Sequence, residues 1–359
     1  ADSDTGEGQY YIWDKSEIEE NLNKDQYEIF SKYFGLNKKD NFEKKYHLYI
    51  SYNSLADFKS RKKNTDKKLL NESIDILLEI RNKRKKPFTD KKILTSWNAL
   101  TIKSLIDYCK VSKDMNYMVN SEKAINFLID KMIFENGLNA TYKDGKSHIN
   151  AYLDDYSFLI KAIINFISIK WDSKLFEKAI LLSNLLIEKF SDSKDGGFFF
   201  TAKDHENLIQ RPKPTADEAF PSGNSIAAEV LIKLGFLMNN TKYIDAANSV
   251  FTYASRQIND SPNAHSSLLD SYLLANKPYV IIILKAKSSS KNTKIWLDRL
   301  IDINKPYIDY YHITENNTGY LNIDDKIASG EVTAYICTNY TCEEPISNFE
   351  KFISRINLL

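Results

Sequence analysis

The sequence predicts a mainly α-helical protein in which αα-hairpins stack into an α/α toroid, incomplete in this chain, with a small α/β segment at the C-terminal end. Three observations support this fold. Amphipathic segments occur in pairs, the two members of each pair are joined by a short polar link, and consecutive pairs are joined by long connections. Since one hairpin cannot bury its apolar face alone, the hairpins must stack as an open solenoid or as a closed ring.

The central region contains three such pairs, with apolar residues recurring at three and four positions. They are Trp97–Val111 with Tyr117–Ile133, Tyr152–Ile169 with Leu175–Phe190, and Ser225–Met238 with Tyr243–Gln257. Equivalent helices start about 55 and then about 70 residues apart, longer and less regular than solenoid repeats of roughly 34 to 47 residues. The spacing therefore favours a toroid with elaborated loops.

Helices are also predicted before and after this region. Ser16 and Glu19 have the spacing of a capping box that starts a helix, and residues 65–86 form a long amphipathic segment. Beyond Lys277, apolar stretches at 279–286, 307–314 and 332–340 are typical of strands, with helices at 291–301 and from Ser347. We therefore predict a toroid portion over residues 1–276 and a β-α-β-β-α segment over 277–359.

Composition excludes several classes of partner. Lys and Arg number 49 against 48 Asp and Glu, so the net charge of +1 creates no field for nucleic acid or an anionic membrane. The longest aliphatic run, Val280 to Leu284, is far shorter than the roughly 20 residues of a membrane span, and nothing marks the chain for export. We expect a cytoplasmic protein with neither a nucleic-acid nor a membrane partner.

Cysteine and histidine spacing indicates neither a disulfide framework nor a metal site. The five histidines are scattered, and Cys337 and Cys342 match no zinc or redox motif. We expect these two cysteines to be unpaired small apolar residues at the end of a strand. No metal and no cofactor are predicted.

The long connections should gather at one end of the ring with the N-termini of the inner helices, an end that we call the mouth. One of these helices begins in HINAYLDDYSFLIKAIINF at 148–166. Helical spacing puts Asp155 above the buried face, so we expect Asp154 to be the N-cap and Asp155 to point into the mouth. The alternative is that both carboxylates cap the helix and pair with its dipole.

Other predicted inner helices begin with comparable residues. TSWNALT opens one helix, and FPSGNSIA opens another after Arg211 and the acidic pair Asp217-Glu218. Singly, such residues are typical of a core Trp, a capping cluster and solvated charges, whereas together they suit a small polyhydroxylated or carboxylated ligand. The predicted ligand-binding residues are Trp97, Asn98, Tyr152, Asp154, Tyr156, Arg211, Ser222 and Asn224.

Seven motifs, in order, cover nearly the whole chain. They are GEGQYYIW (6–13), KKILTSWNALT (91–101), AYLDDYSFL (151–159), DGGFFFT (195–201), RPKP (211–214), FPSGNSIAA (220–228) and CTNYTCEEP (337–345). This series resembles the YyaL-type thioredoxin-domain-containing family, the relatives of the spermatogenesis-associated proteins. The resemblance implies an (α/α)6 toroid similar to N-acylglucosamine 2-epimerase and the six-hairpin glycosidases, followed by a small α/β segment.

The resemblance also implies a partner. Family members carry an upstream thioredoxin-like domain and the first hairpins, so this chain is expected to be a fragment or one half of a split protein. Eight helices are predicted between residues 65 and 275, and a ring of twelve would take the remainder from that upstream part. We therefore expect the upstream N-terminal part of the same protein to be a partner.

Three functions remain open. The first is a carbohydrate-active enzyme: a hydrolase would use Asp155 and Asp217 as its catalytic pair, whereas an epimerase or isomerase would need a base such as His148 or His265. In the hydrolase, Arg211 and the helix dipole should keep the pKa of Asp155 low against the effect of burial if Arg211 lies within about 4–6 Å, which would leave Asp217 as the acid. The second is a non-catalytic ligand-binding or interaction module serving the thioredoxin-like domain. The third is a plain helical scaffold, in which a polar mouth would have no purpose.

Overall fold

The computed structural model describes residues 2–3, 6–51, 64–206, 208–287, 291–303, 305, 307–314 and 318–359. The chain divides into two units, residues 1–91 and 92–359, and each is described by itself.

The first unit packs a helix pair around a small core. Its strands and helices are β1 (Asp2–Ser3), β2 (Gly6–Glu7), β3 (Ile12–Trp13), α1 (Lys15–Asn21), α2 (Lys24–Tyr33), β4 (Tyr46–His47) and α3 (Asn64–Lys83). The guanidinium of Arg84 lies 4.1 Å from the centre of the Trp13 ring and donates to both Glu17 carboxylate oxygens at 2.8 Å. This bidentate pair joins the end of α3 to α1.

The predicted capping box of Ser16 and Glu19 is wrong. Helix α1 begins at Lys15, with Asp14 as its N-cap, so Ser16 already lies inside the first turn. A capping box occurs at α2 instead. There the backbone N–H of Gln26 donates to the side-chain oxygen of Asn23 at 3.0 Å, and the backbone N–H of Asn23 donates to the side-chain oxygen of Gln26 at 3.1 Å.

The second unit contains the predicted hairpins. Its helices before the C-terminal segment are α4 (Thr95–Ser112), α5 (Asn116–Met132), α6 (Leu153–Ile169), α7 (Ser173–Phe190), α8 (Gly223–Met238), α9 (Thr241–Asp260) and α10 (Ser266–Asn276). Helices α4, α6, α8 and α10 pack side by side in that order, while α5, α7 and α9 each pack against the helix before them. This alternation of inner and outer helices confirms the predicted mainly α-helical fold of the α/α-toroid type.

Burial follows from the layering. Inner helices α6 and α8 are buried along almost their whole length because neighbouring helices flank them and an outer helix covers them. Polar exceptions such as Lys161, Glu229 and Lys233 lie together on the inner side of the layer. Among the helices that the structure describes, none is both long and apolar enough to cross a membrane.

The first long connection contains a β-hairpin. Strands β7 (Gly137–Lys143) and β8 (Lys146–Asn150) are antiparallel, and β7 also pairs with the short strands β5 (Ile93–Leu94) and β6 (Ile133–Phe134). Since β5 runs directly into α4 and β8 is followed two residues later by α6, this sheet fixes where both inner helices begin.

The C-terminal segment contains a short helix and a two-residue strand besides the elements of the expected β-α-β-β-α order. Its elements are β9 (Val280–Ala286), α11 (Lys291–Ile301), β10 (Ile308–Ile313), α12 (Leu321–Asp324), β11 (Val332–Thr338), β12 (Thr341–Cys342) and α13 (Phe349–Ile356). The sheet order is β10-β9-β11-β12, with only the β9–β10 pair parallel. One face contacts α11 and α13, and the other contributes Ile281 and Tyr311 to the core of the helical layer. The predicted domain boundary at 277 stays a prediction.

The prediction that Cys337 and Cys342 are unpaired is wrong, because a disulfide joins them. They lie directly opposite each other on β11 and β12, across a two-residue turn in which Asn339 adopts a φ of 55°. A spacing of five residues therefore becomes a cross-strand pair in this hairpin, which the comparison with zinc and redox motifs did not consider. The third cysteine, Cys109, is buried and free.

Candidate functional site

The mouth is formed by the first turns of α4, α6, α8 and α10, which carboxylates connect from one helix to the next. Two of these carboxylates accept hydrogen bonds from backbone N–H groups at the helix starts, where four N–H groups per helix lack partners inside the helix, and the third lies against the backbone of one helix start. The three carboxylates belong to Asp155, Asp154 and Asp217.

Asp155 ties α4 to α6. Its Oδ1 accepts from the backbone N–H of Ser96 and its Oδ2 from that of Tyr152, both at 2.9 Å, and the residue is only 3% exposed. Tyr152 is the N-cap of α6, so Asp155 caps its own helix as well as the neighbouring one. Burial raises the pKa of Asp155 to about 6 against the lowering effect of these bonds. Its carboxylate faces backbone amides, contrary to the expectation that it points into the mouth.

Asp154 ties α6 to α8 and is not the N-cap that the sequence predicted. Its carboxylate lies against the backbone of Gly223, at the start of α8, and this polar contact acts to lower the pKa of Asp154. A side chain at position 223 would overlap Asp154 Oδ1 and press on Leu153, so only glycine permits this approach. Burial, followed by the charge of Asp155, raises the pKa of Asp154 to about 7, and Glu218 adds to the effect. The carboxyl is partly exposed, unlike that of Asp155.

Asp217 ties α8 to α10. Its Oδ1 accepts from the N–H of Ser222 at 3.0 Å, and its Oδ2 accepts from the N–H of Ser267 at 2.8 Å. Ser222 is the N-cap of α8, and its hydroxyl accepts from the N–H of Ser225 at 3.2 Å and donates to the carbonyl of Thr215 at 3.0 Å. Both predicted site residues are thus engaged in holding helix starts.

Asn224 anchors the loops above the mouth. Its Oδ1 accepts from the N–H of Phe198, and its Nδ2 donates to the carbonyls of Phe198 and Pro214, all at 2.9 Å. The side chain is fully buried, so Asn224 holds the DGGFFFT and RPKP segments rather than facing solvent.

Arg211 does not reach Asp155. Its Nη2 donates to the carbonyl of Thr201, and the guanidinium lies 4.1 Å from the centre of the Phe199 ring. The pKa of Asp155 is raised, so the expected lowering by Arg211 and the helix dipole is wrong. Burial decides the direction of the shift instead.

The aromatic residues of the mouth differ in accessibility. Trp97, in the first turn of α4, is 61% exposed. Tyr152 is partly exposed and stacks on Phe200 with ring centres 4.9 Å apart. Tyr156 is 2% exposed, and burial raises the pKa of its phenol well above the ordinary value. Trp97 and Tyr152 can therefore offer a face to a ligand, whereas Tyr156 is part of the core.

Three further residues from the sequence prediction take structural or peripheral positions. Asn98 donates to the carbonyl of Leu94 at 2.8 Å, within its own helix start. His265 is buried, with its ring nitrogens 3.1 Å from Thr215 Oγ1 and 2.8 Å from the carbonyl of Ser261. His148 is exposed on β8.

The groups left open to a ligand are Trp97, Tyr152, Asp154 and the exposed Glu218. Glu218 was noted in the sequence only as the neighbour of Asp217. In the structure, the charge of Glu218 helps to raise the pKa of Asp154, which lies 64 positions earlier in the chain. No motif spacing could predict this interaction.

The chain has distant sequence similarity to members of the family that its motifs resemble. No family model matches the chain. It is 25% identical over 304 residues to an uncharacterised protein of Caenorhabditis elegans, covering 81% of this chain and 41% of that protein. It is 24% identical over 302 residues to human spermatogenesis-associated protein 20, covering 78% of this chain and 38% of that protein. The chain thus spans about two fifths of the length of these relatives.

Solved structures with a similar arrangement are carbohydrate enzymes. A GH76 α-mannanase of Bacteroides thetaiotaomicron is 13% identical, with 80% of this chain and 84% of that chain covered and a TM-score of 0.42. A cellobiose 2-epimerase of Bacillus thermoamylovorans is 14% identical, with 62% and 58% covered and a TM-score of 0.34. Neither alignment assigns a role to a residue of this chain.

Proposed function

We propose that the mouth binds a sugar-like ligand and that Asp154 exchanges a proton with it. The observation that carries this proposal is the carboxyl of Asp154: it is partly exposed, it lies at a helix N-terminus, and its pKa is raised to about 7. A group that titrates near neutral pH is present in both protonation states, as general acid–base chemistry requires.

The surroundings of Asp154 suit a polyhydroxylated molecule. Trp97 offers an exposed ring for the apolar face of a sugar, and Glu218 supplies an acceptor for hydroxyl groups. In a hydrolase, Asp154 would protonate the leaving oxygen and Glu218 would activate water, whereas in an isomerase Asp154 would remove a proton next to a carbonyl. Both reaction classes stay open.

The catalytic pair predicted from sequence, Asp155 and Asp217, stays untested. Their hydrogen bonds to backbone amides favour a positioning role, because each oxygen is already committed to a helix start. In this proposal Asp155 also acts on Asp154 electrostatically, since its negative charge helps to raise the pKa of that carboxyl.

The alternative is a non-catalytic binding module within a longer protein that has a thioredoxin-like domain. Its support is that Ser222, Asn224 and Asp217 all serve the framework, leaving Asp154 and Glu218 as the accessible acids. Under this alternative the same mouth binds the ligand and turnover does not occur.

Replacing Asp154 by Asn is expected to reduce turnover of a responsive substrate roughly 100-fold or more, because the amide cannot exchange a proton. Substrates to be tested are 4-nitrophenyl glycosides for hydrolysis, and reducing sugars in D2O, followed by NMR, for exchange of the proton at C2. The matched control is Asp130→Asn, which alters an exposed carboxyl on the outer helix α5. Equal loss in both variants would contradict the role of Asp154. Sugar binding by the unaltered chain without any turnover would select the binding module.

Trp97→Ala is expected to weaken sugar binding about tenfold or more, since stacking on an exposed ring is lost, with little change in melting temperature. Isothermal titration calorimetry with the responsive sugar measures the affinity. Phe88→Ala removes another exposed aromatic ring and serves as the control. Unchanged affinity in Trp97→Ala would place the ligand away from the mouth.

A further inference from the structure

The hairpin of β11 and β12 carries a disulfide that the proposed function does not use. Cys337 and Cys342 are five positions apart in the chain and lie directly opposite each other, with Thr338 opposite Thr341 next to the turn. In chain-entropy terms a disulfide stabilises a fold by restricting the unfolded chain, and this gain falls as the closed loop becomes shorter. A crosslink that closes so short a loop therefore adds little stability.

Backbone hydrogen bonds hold the hairpin together independently of the disulfide. The N–H of Glu343, next to Cys342, donates to the carbonyl of Ile336 at 2.9 Å. Farther along, the N–H of Ala334 donates to the carbonyl of Ile346 at 2.8 Å, and the N–H of Ile346 donates back at 2.9 Å. The two cysteines therefore stay opposite each other when the bond between their sulfurs is broken, which allows the bond to form again.

The two cysteines differ in exposure. Cys342 is exposed and belongs to β12, the edge strand of its sheet, whereas Cys337 is only 7% exposed. Disulfide exchange begins when a thiolate attacks one of the two sulfurs, and the other sulfur leaves as a thiolate. An external thiol can reach Cys342, so Cys337 is the leaving group.

Lys326 places a cation on the side where this thiolate forms. Its side chain lines a small cavity together with both cysteines, and its ammonium lies 6.0 Å from the centre of the Tyr335 ring. Tyr335 and Cys337 are two positions apart on β11, so they share one face of the strand. Lys326 is 9% exposed, and one of its donors is bonded to the carbonyl of Asn322 at 2.5 Å. A neighbouring cation stabilises a cysteine thiolate.

We propose that the Cys337–Cys342 pair is a disulfide-exchange site that accepts electrons from an external dithiol. One thiolate of the dithiol attacks Cys342 Sγ, the bond between the two cysteine sulfurs breaks, and Cys337 leaves as a thiolate beside Lys326. The second thiolate of the dithiol then attacks the dithiol sulfur in the mixed disulfide and releases Cys342. Two electrons and two protons pass to the chain, which ends with two thiols, and the dithiol becomes a disulfide.

Treatment of the unaltered chain with dithiothreitol in native buffer at pH 7, followed by iodoacetamide and mass spectrometry, tests the proposal. Cys342 is expected to become alkylated at a rate proportional to the dithiol concentration, while Cys109, which is buried and free, stays unmodified. The reduced chain should keep its melting temperature within about 3 °C, since the hairpin keeps its backbone bonds. Absence of reduction, alkylation of Cys109 at the same rate as Cys342, or a larger fall in melting temperature would identify a structural disulfide and overturn the proposal.

Substitution of Lys326 tests the leaving group. Lys326→Met is expected to slow reduction about tenfold or more, because the thiolate of Cys337 loses its neighbouring cation, whereas Lys326→Arg keeps the charge and should retain most of the rate. Lys351→Met removes an exposed lysine from α13 of the same segment and should leave the rate unchanged. The assignment of Lys326 is wrong if Lys326→Met reacts as fast as the unaltered chain, if Lys326→Arg is as slow as Lys326→Met, or if Lys351→Met slows reduction equally.

Discussion

Replacing Asp155 by Ala is expected to lower the free energy of unfolding by about 2 to 4 kcal/mol, because two helix starts lose their acceptor at once. The N–H groups of Ser96 and Tyr152 now bond to this carboxylate, and the site is buried, so water is poorly placed to replace it. The loss should loosen the contact between α4 and α6, which lie side by side in the inner layer.

The size of this effect should depend on pH in a defined direction. Burial raises the folded-state pKa of Asp155 to about 6, above the ordinary value of 3.8. Because the pKa of this carboxyl is higher in the folded than in the unfolded state, its protonated form stabilises the fold. This stabilisation is fully present below the unfolded-state pKa and is lost as the pH rises through the folded-state pKa. The difference between the unaltered chain and Asp155→Ala should therefore be about 1 kcal/mol larger at pH 5 than at pH 7.

Urea unfolding at several pH values between 5 and 8 measures both quantities. Asp130→Ala, at an exposed position of α5, should stay within about 0.5 kcal/mol of the unaltered chain at every pH. A difference that grows as the pH rises would mean that the backbone bonds outweigh burial and that Asp155 is an ionised cap with a lowered pKa.

The positions of Asp154 and Asp155 show how far the sequence could lead. Apolar periodicity placed Asp155 correctly above the buried face of α6, and the long connections correctly predicted that inner helices start at one end. Periodicity along one helix does not show what stands opposite it. Both carboxylates meet neighbouring helices, Asp155 at the N–H of Ser96 and Asp154 at the backbone of Gly223, which are 59 and 69 positions from them in the chain.

The predictions that Arg211 lowers the pKa of Asp155 and that the two cysteines are unpaired were wrong for related reasons. Arg211 belongs to a loop without periodicity, so its direction was guessed from its neighbours, and its guanidinium instead satisfies a nearby carbonyl at Thr201. Cys337 and Cys342 were compared with metal and redox spacings, while the register of a tight hairpin decides their pairing.

The surroundings of the three carboxylates also explain why the pKa of Asp154 is raised. The starts of four inner helices, with their positive dipole ends, meet at the mouth of the described layer, and three aspartates distribute negative charge among them. Asp155 and Asp217 each satisfy two N–H groups, whereas Asp154 lies against the backbone of Gly223, stands next to Asp155 and is within the influence of Glu218. Burial, together with these like charges, raises the pKa of Asp154 to about 7, above the value of about 6 for Asp155.

Lys233→Met is expected to have a large effect on stability, about 3 kcal/mol, because it removes one member of an ion network whose side chains are mostly buried. Lys233 lies 3.0 Å from Asp309 and 3.5 Å from Glu229, and Glu229 also pairs with Lys161. Asp309 additionally accepts a hydrogen bond from the hydroxyl of Tyr279 at 2.5 Å. The network joins α6 and α8 to the strand β10, so its loss should also weaken the attachment of the C-terminal sheet.

The expected loss of stability is large because the carboxylates that pair with Lys233 remain in place. Without Lys233, Asp309 keeps only the tyrosine hydroxyl, and Glu229 keeps only one of its two close cations, so negative charge stays buried without compensation. In the intact network, Lys161 and Lys233 overcome the effect of burial and hold the pKa of Glu229 at about 2. A lowered carboxyl pKa contributes stability that is present above the unfolded value of 4.5 and is lost as the pH falls towards 2.

Lys113→Met is the matched control, since it breaks the ion pair between Lys113 and Asp302, in which both side chains are about half exposed. Its cost should be below about 1 kcal/mol, as for other exposed ion pairs. Urea unfolding at pH 7 compares the two variants, and hydrogen exchange of the β9 and β10 amides reports the attachment of the sheet. Equal small costs for both lysines would show that water reaches the Lys233 network and screens it.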